Sequence, residues 1–194
     1  MTETALSQTP VYTARPTLRL AGQEDVRVSE LLIGMRMEES EGGMSALDLR
    51  FSNVASVTGG GAEIGFPADS KLRLGAAIEV YCGDELEPRE IFRGKITALE
   101  ADFRTGAPPE LTVLAEDSLQ QARLARRSKV YTDQSPADIV RAVAGELGLT
   151  PVITGLASPV ATWAQYNESD LAFLRRLLSR FDADLQVLGS ELQV

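Results

Sequence analysis

The chain has 194 residues, 28 acidic and 19 basic side chains, no histidine and a single cysteine, for a net charge of −9. So acidic a balance excludes the basic footprint of a nucleic-acid binder and disfavours docking on an anionic membrane. The missing histidines remove the usual general base, the commonest metal ligand and the Ser-His and Cys-His nucleophile pairs, and one Cys82 makes neither a disulfide nor a thiolate cluster.

The length suits one large domain or two small ones, and a chain of this size buries roughly 70% of its unfolded surface without staples. The N-terminus, MTETALSQTPVYTARP, lacks a charged start followed by an apolar core. It does not read as a signal peptide, and no apolar run approaches the ~20 residues of a membrane span. Synthesis in the cytoplasm is expected, with export only inside an assembly.

Residues 1–15 are polar and read as a flexible arm. Thr17 to Leu20 alternates, Val26 to Met37 is rich in Val, Ile, Leu and Met, and Leu47, Leu49 and Phe51 stand at period two. With the turn signal Gly42-Gly43, 26–39 and 44–54 are expected to form a hairpin. Residues 58–70 are expected to be a loop. Strand signals return at Lys71–Leu74. They continue at Ala77–Cys82, with Ile78, Val80 and Cys82 on one face, then at Ile91–Glu100, interrupted by Gly94, and at Glu110–Ala115. About six closely spaced strands predict an antiparallel barrel or sandwich over residues 16–130. Leu47, Leu49, Ile78 and Val80 are expected to point inward.

Near residue 130 the texture changes. Ser135-Pro136-Ala137-Asp138 is a helix start, with a serine cap, proline at the first helical position and an aspartate that reaches back. Ile139, Val140, Val143 and Leu147 follow a helical stripe that Gly148 stops. A second helix is expected from about Asn167 to Asp170 onward, with Leu171, Leu174, Leu177, Leu178 and Phe181 on its apolar face and Phe173 on the flank. Its arginines, Arg175, Arg176 and Arg180, lie toward the favourable C-terminal end. Pro151–Ile153 and Val160–Trp163 read as short extended pieces. The chain ends in a hairpin, Leu185–Leu188 and Glu191–Val194, whose second strand is barely begun and so leaves backbone groups that seek a partner strand. Residues 131–194 thus make a small α/β domain.

Several constellations invite chemistry. Thr58-Gly59-Gly60-Gly61 resembles a phosphate loop but lacks the Gly-Lys-Ser/Thr ending and precedes no helix, so a loop is the better reading. Glu116-Asp117 and Asp182/Asp184 are carboxylate pairs, readable as acid and base or as a calcium site, but no further acidic ligands cluster at motif spacing, so a helix cap or solvated turn is the better reading for each. Arg123, Arg126, Arg127 and Lys129 form a basic run, a solvated face or a partner contact. Trp163 and Tyr166 are core or interface anchors, and Cys82 reads as a small buried hydrophobe. No catalytic, cofactor-binding or metal-binding residue is assigned, and no cofactor is expected.

Four stretches resemble the late control protein D family, which covers phage baseplate hub proteins and the related hub portion of type VI secretion spike proteins. They are Ile91-Phe92-Arg93-Gly94-Lys95-Ile96, Leu111-Thr112-Val113-Leu114-Ala115-Glu116-Asp117, Tyr131 through Val140, and Gln165 through Leu177. The resemblance implies an α+β, mainly β fold: a tail-tube-like antiparallel β-barrel followed by a small α/β insert with two helices. It implies a structural hub or adaptor that links the inner tube to the spike of a contractile tail or injection system. Hubs of this family are homotrimers whose partners are tube and spike proteins. They often carry two tube-like barrels per chain, whereas this sequence has room for one. Two other readings stay open: a baseplate-associated cell-wall hydrolase using Glu116 or Asp182, and a plain tube or terminator subunit.

Overall fold

The computed structural model describes residues 15–40, 42–57, 59–67, 70–83 and 87–194. The expected arm, Thr58 and Asp84 lie outside the described residues, apart from Arg15 at the end of the arm.

Strand β1 (Thr17–Leu20) sends Leu18 and Leu20 into a core and turns through Gly22 into the two-residue β2 (Gln23–Glu24). The next stretch departs from the expected long strand. Asp25 accepts a hydrogen bond from the Val28 N–H at 3.2 Å and caps a short helix, α1 (Val26–Leu31), which buries Val28. Local capping overrides the β preference of the two valines. The expected hairpin therefore begins at β3 (Leu32–Glu38), which pairs antiparallel with β4 (Ala46–Ser52) through Met37 opposite Leu47 and Met35 opposite Leu49.

A second small hairpin follows where a loop was expected: β5 (Val54–Val57) pairs with β6 (Gly61–Ile64), and Gly59 and Gly60 take positive φ in its turn. Lys71–Leu74 is not a strand. It is a turn that plugs Leu72 into the core, 4% exposed. The remaining strands match expectation more closely: β7 (Ala77–Gly83), β8 (Pro88–Asp102) and β9 (Glu110–Glu116). Strand β8 runs through Gly94 without a break. Glycine is needed there because a Cβ would sit 2.8 Å from the carbonyl carbon of Glu116 on the neighbouring strand.

These strands build one antiparallel sheet in the order β2-β1-β7-β8-β9-β4-β3. Leu47, Leu49, Ile78 and Val80 all lie at or below 1% exposure on its inner face, as their period-two spacing predicts. Phe51, Phe92, Ile96 and Val113 complete this first core. Helix α1 packs on both β1 and β4, which stand next to opposite ends of the sheet. The sheet is therefore curled, and α1, which leads directly into Leu32, bridges β1 and β4 at that end of the gap. Among the described residues backbone pairing does not carry it round into a closed barrel, because no ladder joins β3 to β1 or β2.

The second core starts earlier than residue 131. Helix α2 (Leu119–Leu124) gives it Leu119 and Ala122, and the nine-residue strand β10 (Arg126–Gln134), for which the sequence shows no strand pattern, gives it Tyr131. Helix α3 (Pro136–Leu147) begins as expected. The Ser135 hydroxyl accepts from the Asp138 N–H, the Asp138 carboxylate accepts from the Ser135 N–H, and Gly148 ends the helix in the left-handed conformation. Then come β11 (Thr150–Val152), β12 (Ala161–Ser169) and α4 (Asp170–Leu178), capped by Ser169 and finished by a 3₁₀ turn, Ser179–Phe181. Phe173 is fully buried and stacks on Tyr131 at 5.4 Å, a pair worth about 1 kcal/mol beyond its buried area. The two expected helices are α3 and α4; α1 and α2 are additional.

The last hairpin, β13 (Gln186–Leu188) and β14 (Glu191–Gln193), overturns one expectation. Strand β14 is not unfinished. It is the middle of a three-stranded sheet, antiparallel to β13 and parallel to β11, with Thr150 opposite Glu191. Its backbone groups are already satisfied, so it cannot be the edge that recruits a partner. Strand accounts for 48% and helix for 21% of the structure, which gives the α+β, mainly β class expected.

Candidate functional site

Of the four candidate acid–base residues, Glu116 and Asp117 are engaged in contacts within the fold. Asp117 is 4% exposed and lies between the two cores. One carboxylate oxygen accepts from the Ser45 N–H at 2.6 Å and the other from the Leu119 N–H at 2.8 Å, so the side chain ties the start of β4 to the first turn of α2. Burial pushes its carboxyl above the usual range, while the two N–H donors pull the other way. Its neighbour Glu116 points elsewhere and pairs with Arg123 at 2.6 Å. Asp182 stands exposed in the left-handed conformation after the 3₁₀ turn, and Asp184 accepts from the N–H of Leu185. Among the described residues no group of three or more His, Cys, Asp or Glu side chains gathers as metal ligands.

The basic run is mostly neutralised from within. Arg127 contacts Glu146 at 2.7 Å and the buried Asp170 at 3.0 Å, and Lys129 reaches Glu146 at 3.5 Å. Gln165, 2% exposed, donates to Asp170 and to the Glu168 carbonyl, which locks the bend from β12 into α4. The Arg126 guanidinium donates to the Asn167 carbonyl, and no other side-chain partner stands against it among the described residues. Trp163 is a core anchor: its indole N–H donates to the Gln134 carbonyl at 2.8 Å and its ring meets Phe181 edge-on. Tyr166 is 82% exposed and is not. Cys82 is partly buried near the end of β7, and burial raises its thiol pKa, as suits a packing residue. Gly59 and Gly60 sit in a hairpin turn, so the phosphate-loop reading has no helix to serve it.

The junction between the cores has more structure than the sequence disclosed. The β3–β4 connection inserts Met44 against the second core, and Arg175 of α4 donates to the Gly42 carbonyl. Beside Gly42, Glu39, Asp184 and Gln193 line an open cleft of about 460 Å³ between the β3–β4 connection and the β13–β14 hairpin. On the outer face of the large sheet, Arg93 bridges Glu79 at 2.7 Å and Glu90 at 2.5 Å, and both carboxylates hold the Tyr81 hydroxyl. These ion pairs stiffen β7 and β8 and engage both Glu79 and Glu90.

What the surface does offer is strand edge. Strand β3 ends the seven-stranded sheet, and the β10–β12 ribbon carries no third strand among the described residues. Six of the seven residues of β3 and eight of the nine of β10 are not buried. Unpaired edges of this length are templates for pairing with another chain.

Comparison with solved structures gives the same picture. The chain is similar to the prophage MuSo2 43 kDa tail protein from Shewanella oneidensis, with a TM-score of 0.69 and 15% identity over 92% of this chain and 52% of that one. It is similar to a tail protein from Neisseria meningitidis, with a TM-score of 0.65 and 13% identity over 93% of this chain and 49% of the other. It is also similar to an Escherichia coli component of the type VI secretion system, itself described as resembling T4 bacteriophage tail proteins, with a TM-score of 0.56 and 17% identity over 84% and 42% of the two chains. At these identities the likeness shows the fold, and the chain spans about half the length of these proteins. No curated protein matches it. The family model for the phage tail baseplate hub (GPD) matches residues 64–182, from the last residue of β6 to just beyond α4 and therefore through parts of both cores, and the chain belongs to that family.

Proposed function

We propose that this chain is a structural hub or adaptor of a contractile phage tail or related injection system, that it links the inner tube to the spike, and that it works there as a homotrimer. The observation that carries this reading is the baseplate hub match over residues 64–182, which takes in strands β7 to β9 of the curled sheet and the second core from α2 through α4. In this reading the curled sheet takes the place of the tube-like barrel. The second unit starts at about Asp117 rather than residue 130, because Leu119 and Ala122 pack in its core. The chain is made in the cytoplasm and assembled there. No helix among the described residues is long and apolar enough to cross a membrane.

The reading includes no catalysis and no cofactor. Both oxygens of Asp117 are held by backbone donors, and Glu116 is paired with Arg123. A cell-wall digestion assay with the purified chain is expected to show no turnover. Hydrolysis abolished by Glu116→Gln or Asp182→Asn would overturn the structural reading. Electron micrographs of the chain mixed with the tube and spike proteins of its own particle are expected to show it at one end of the tube. Decoration along the tube would favour the tube-subunit reading.

A further inference from the structure

We propose that copies of this chain associate head to tail by strand addition, the free edge of β3 in one protomer pairing antiparallel with the free edge of β10 in the next. This rests on the oligomeric hub reading and gives it an interface.

The large sheet has two ends of unequal value. One is β2, two residues long; the other is β3, seven residues long. Only Leu32 of β3 is buried, and Ile33 and Met35 stand 51% and 36% exposed. Strand β3 contains no proline, and a single register shift between Leu32 and Gly34 is its one irregularity. Natural edges of this length are usually blunted or covered. Strand β10 is the complementary case. Only Tyr131 is buried, Val130 is 63% exposed, and β12 is its one strand neighbour among the described residues.

Charge selects the pairing. The β3 strand runs out into Glu38-Glu39: Glu38 pairs with Arg36 of its own strand, an exposed contact that a cation on a facing strand can replace, and among the described residues Glu39 has no cationic partner. The β10 strand opens with Arg126, whose guanidinium has a carbonyl but, among the described residues, no carboxylate, while Arg127 and Lys129 are spent on Glu146 and Asp170. An antiparallel ladder that sets Glu38 against Arg126 also sets Gly34 against Val130. The residue without a side chain then faces the exposed valine, and opposite charges directly across an antiparallel pair stabilise it. Two different edges make a heterologous contact, which closes into a ring when the rotation between protomers allows. Pairing β3 with β3 would stop at two copies.

The test uses the full chain with Cys82→Ser, carrying either Gly34→Cys or Val130→Cys. A Cβ at Gly34 meets only the flexible Arg50 side chain, at 3.5 Å or more, and Val130 is exposed, so both variants are expected to fold; thermal unfolding checks this. Under mild oxidation the mixture is expected to form a disulfide between the two different variants. Neither variant is expected to cross-link to itself, and the doubly substituted chain is expected to give a covalently closed ring. Ile33→Lys is expected to abolish the cross-link without changing the unfolding of the monomer. Self-cross-links, or no cross-link while light scattering shows a trimer, would overturn this interface and leave the trimeric reading standing. A chain that stays monomeric at its solubility limit would overturn this interface, while the trimeric reading, which concerns the assembled particle, is judged by the copy number there.

Discussion

Removing the Asp117 side chain should uncouple the two cores. In Asp117→Ala the N–H groups of Ser45 and Leu119 lose their acceptor at a position 4% exposed to water. An unsatisfied buried donor costs about 1–3 kcal/mol. One of the two donors is the first N–H of α2, whose N-cap Ser118 makes no side-chain cap hydrogen bond. Partial rehydration lowers the sum, so a loss of about 3 kcal/mol is expected. Asp117→Asn keeps one acceptor oxygen and removes the buried charge, so it should cost about 1 kcal/mol. Burial raises the carboxyl pKa in the folded state. A raised folded pKa contributes stability below the unfolded value and loses it as pH rises through the folded value. The advantage of the native protein over Asp117→Asn should therefore shrink as pH rises through the carboxylate range. Urea unfolding followed by Trp163 fluorescence measures both effects, since Trp163 packs against the second core. A loss below about 1 kcal/mol for Asp117→Ala, or a gap that widens with pH, would refute the reasoning.

Ser135→Ala removes the cap of α3 and should cost about 1 kcal/mol in the same urea experiment, with Ser135→Thr nearly neutral. Gly94→Ala places a methyl against the Glu116 carbonyl and the Phe92 ring, and about 2 kcal/mol should be lost with faster amide exchange across β8 and β9. Trp163→Phe keeps the ring contact with Phe181 but loses the hydrogen bond to Gln134, at about 1 kcal/mol by thermal unfolding.

Local signals are legible in the sequence and nonlocal ones are not. The capping box at Ser135 and Asp138 is complete within four residues, so the sequence alone discloses it. Period two at Leu47 and Leu49 marks the inner face because one side of the sheet is fully buried. Helix α1 is hidden by its valines, although Asp25 at its cap is a readable signal. Strand β10 is hidden because the positions at period two from the buried Tyr131 are Arg127 and Lys129, held by Glu146 and Asp170, which breaks the apolar alternation. The β14–β11 pairing is parallel and joins distant segments, so no local pattern can show that the last strand is central. The candidate surfaces escape for a related reason. An edge is defined by the neighbour it lacks, and only the sheet order reveals that β3 and β10 lack one.

A reconstruction of the intact particle tests the central claim most directly. Three copies of this chain around the axis, between the last tube ring and the spike, are the predicted result. Six equivalent copies, or a single copy on the axis, would contradict the trimeric hub.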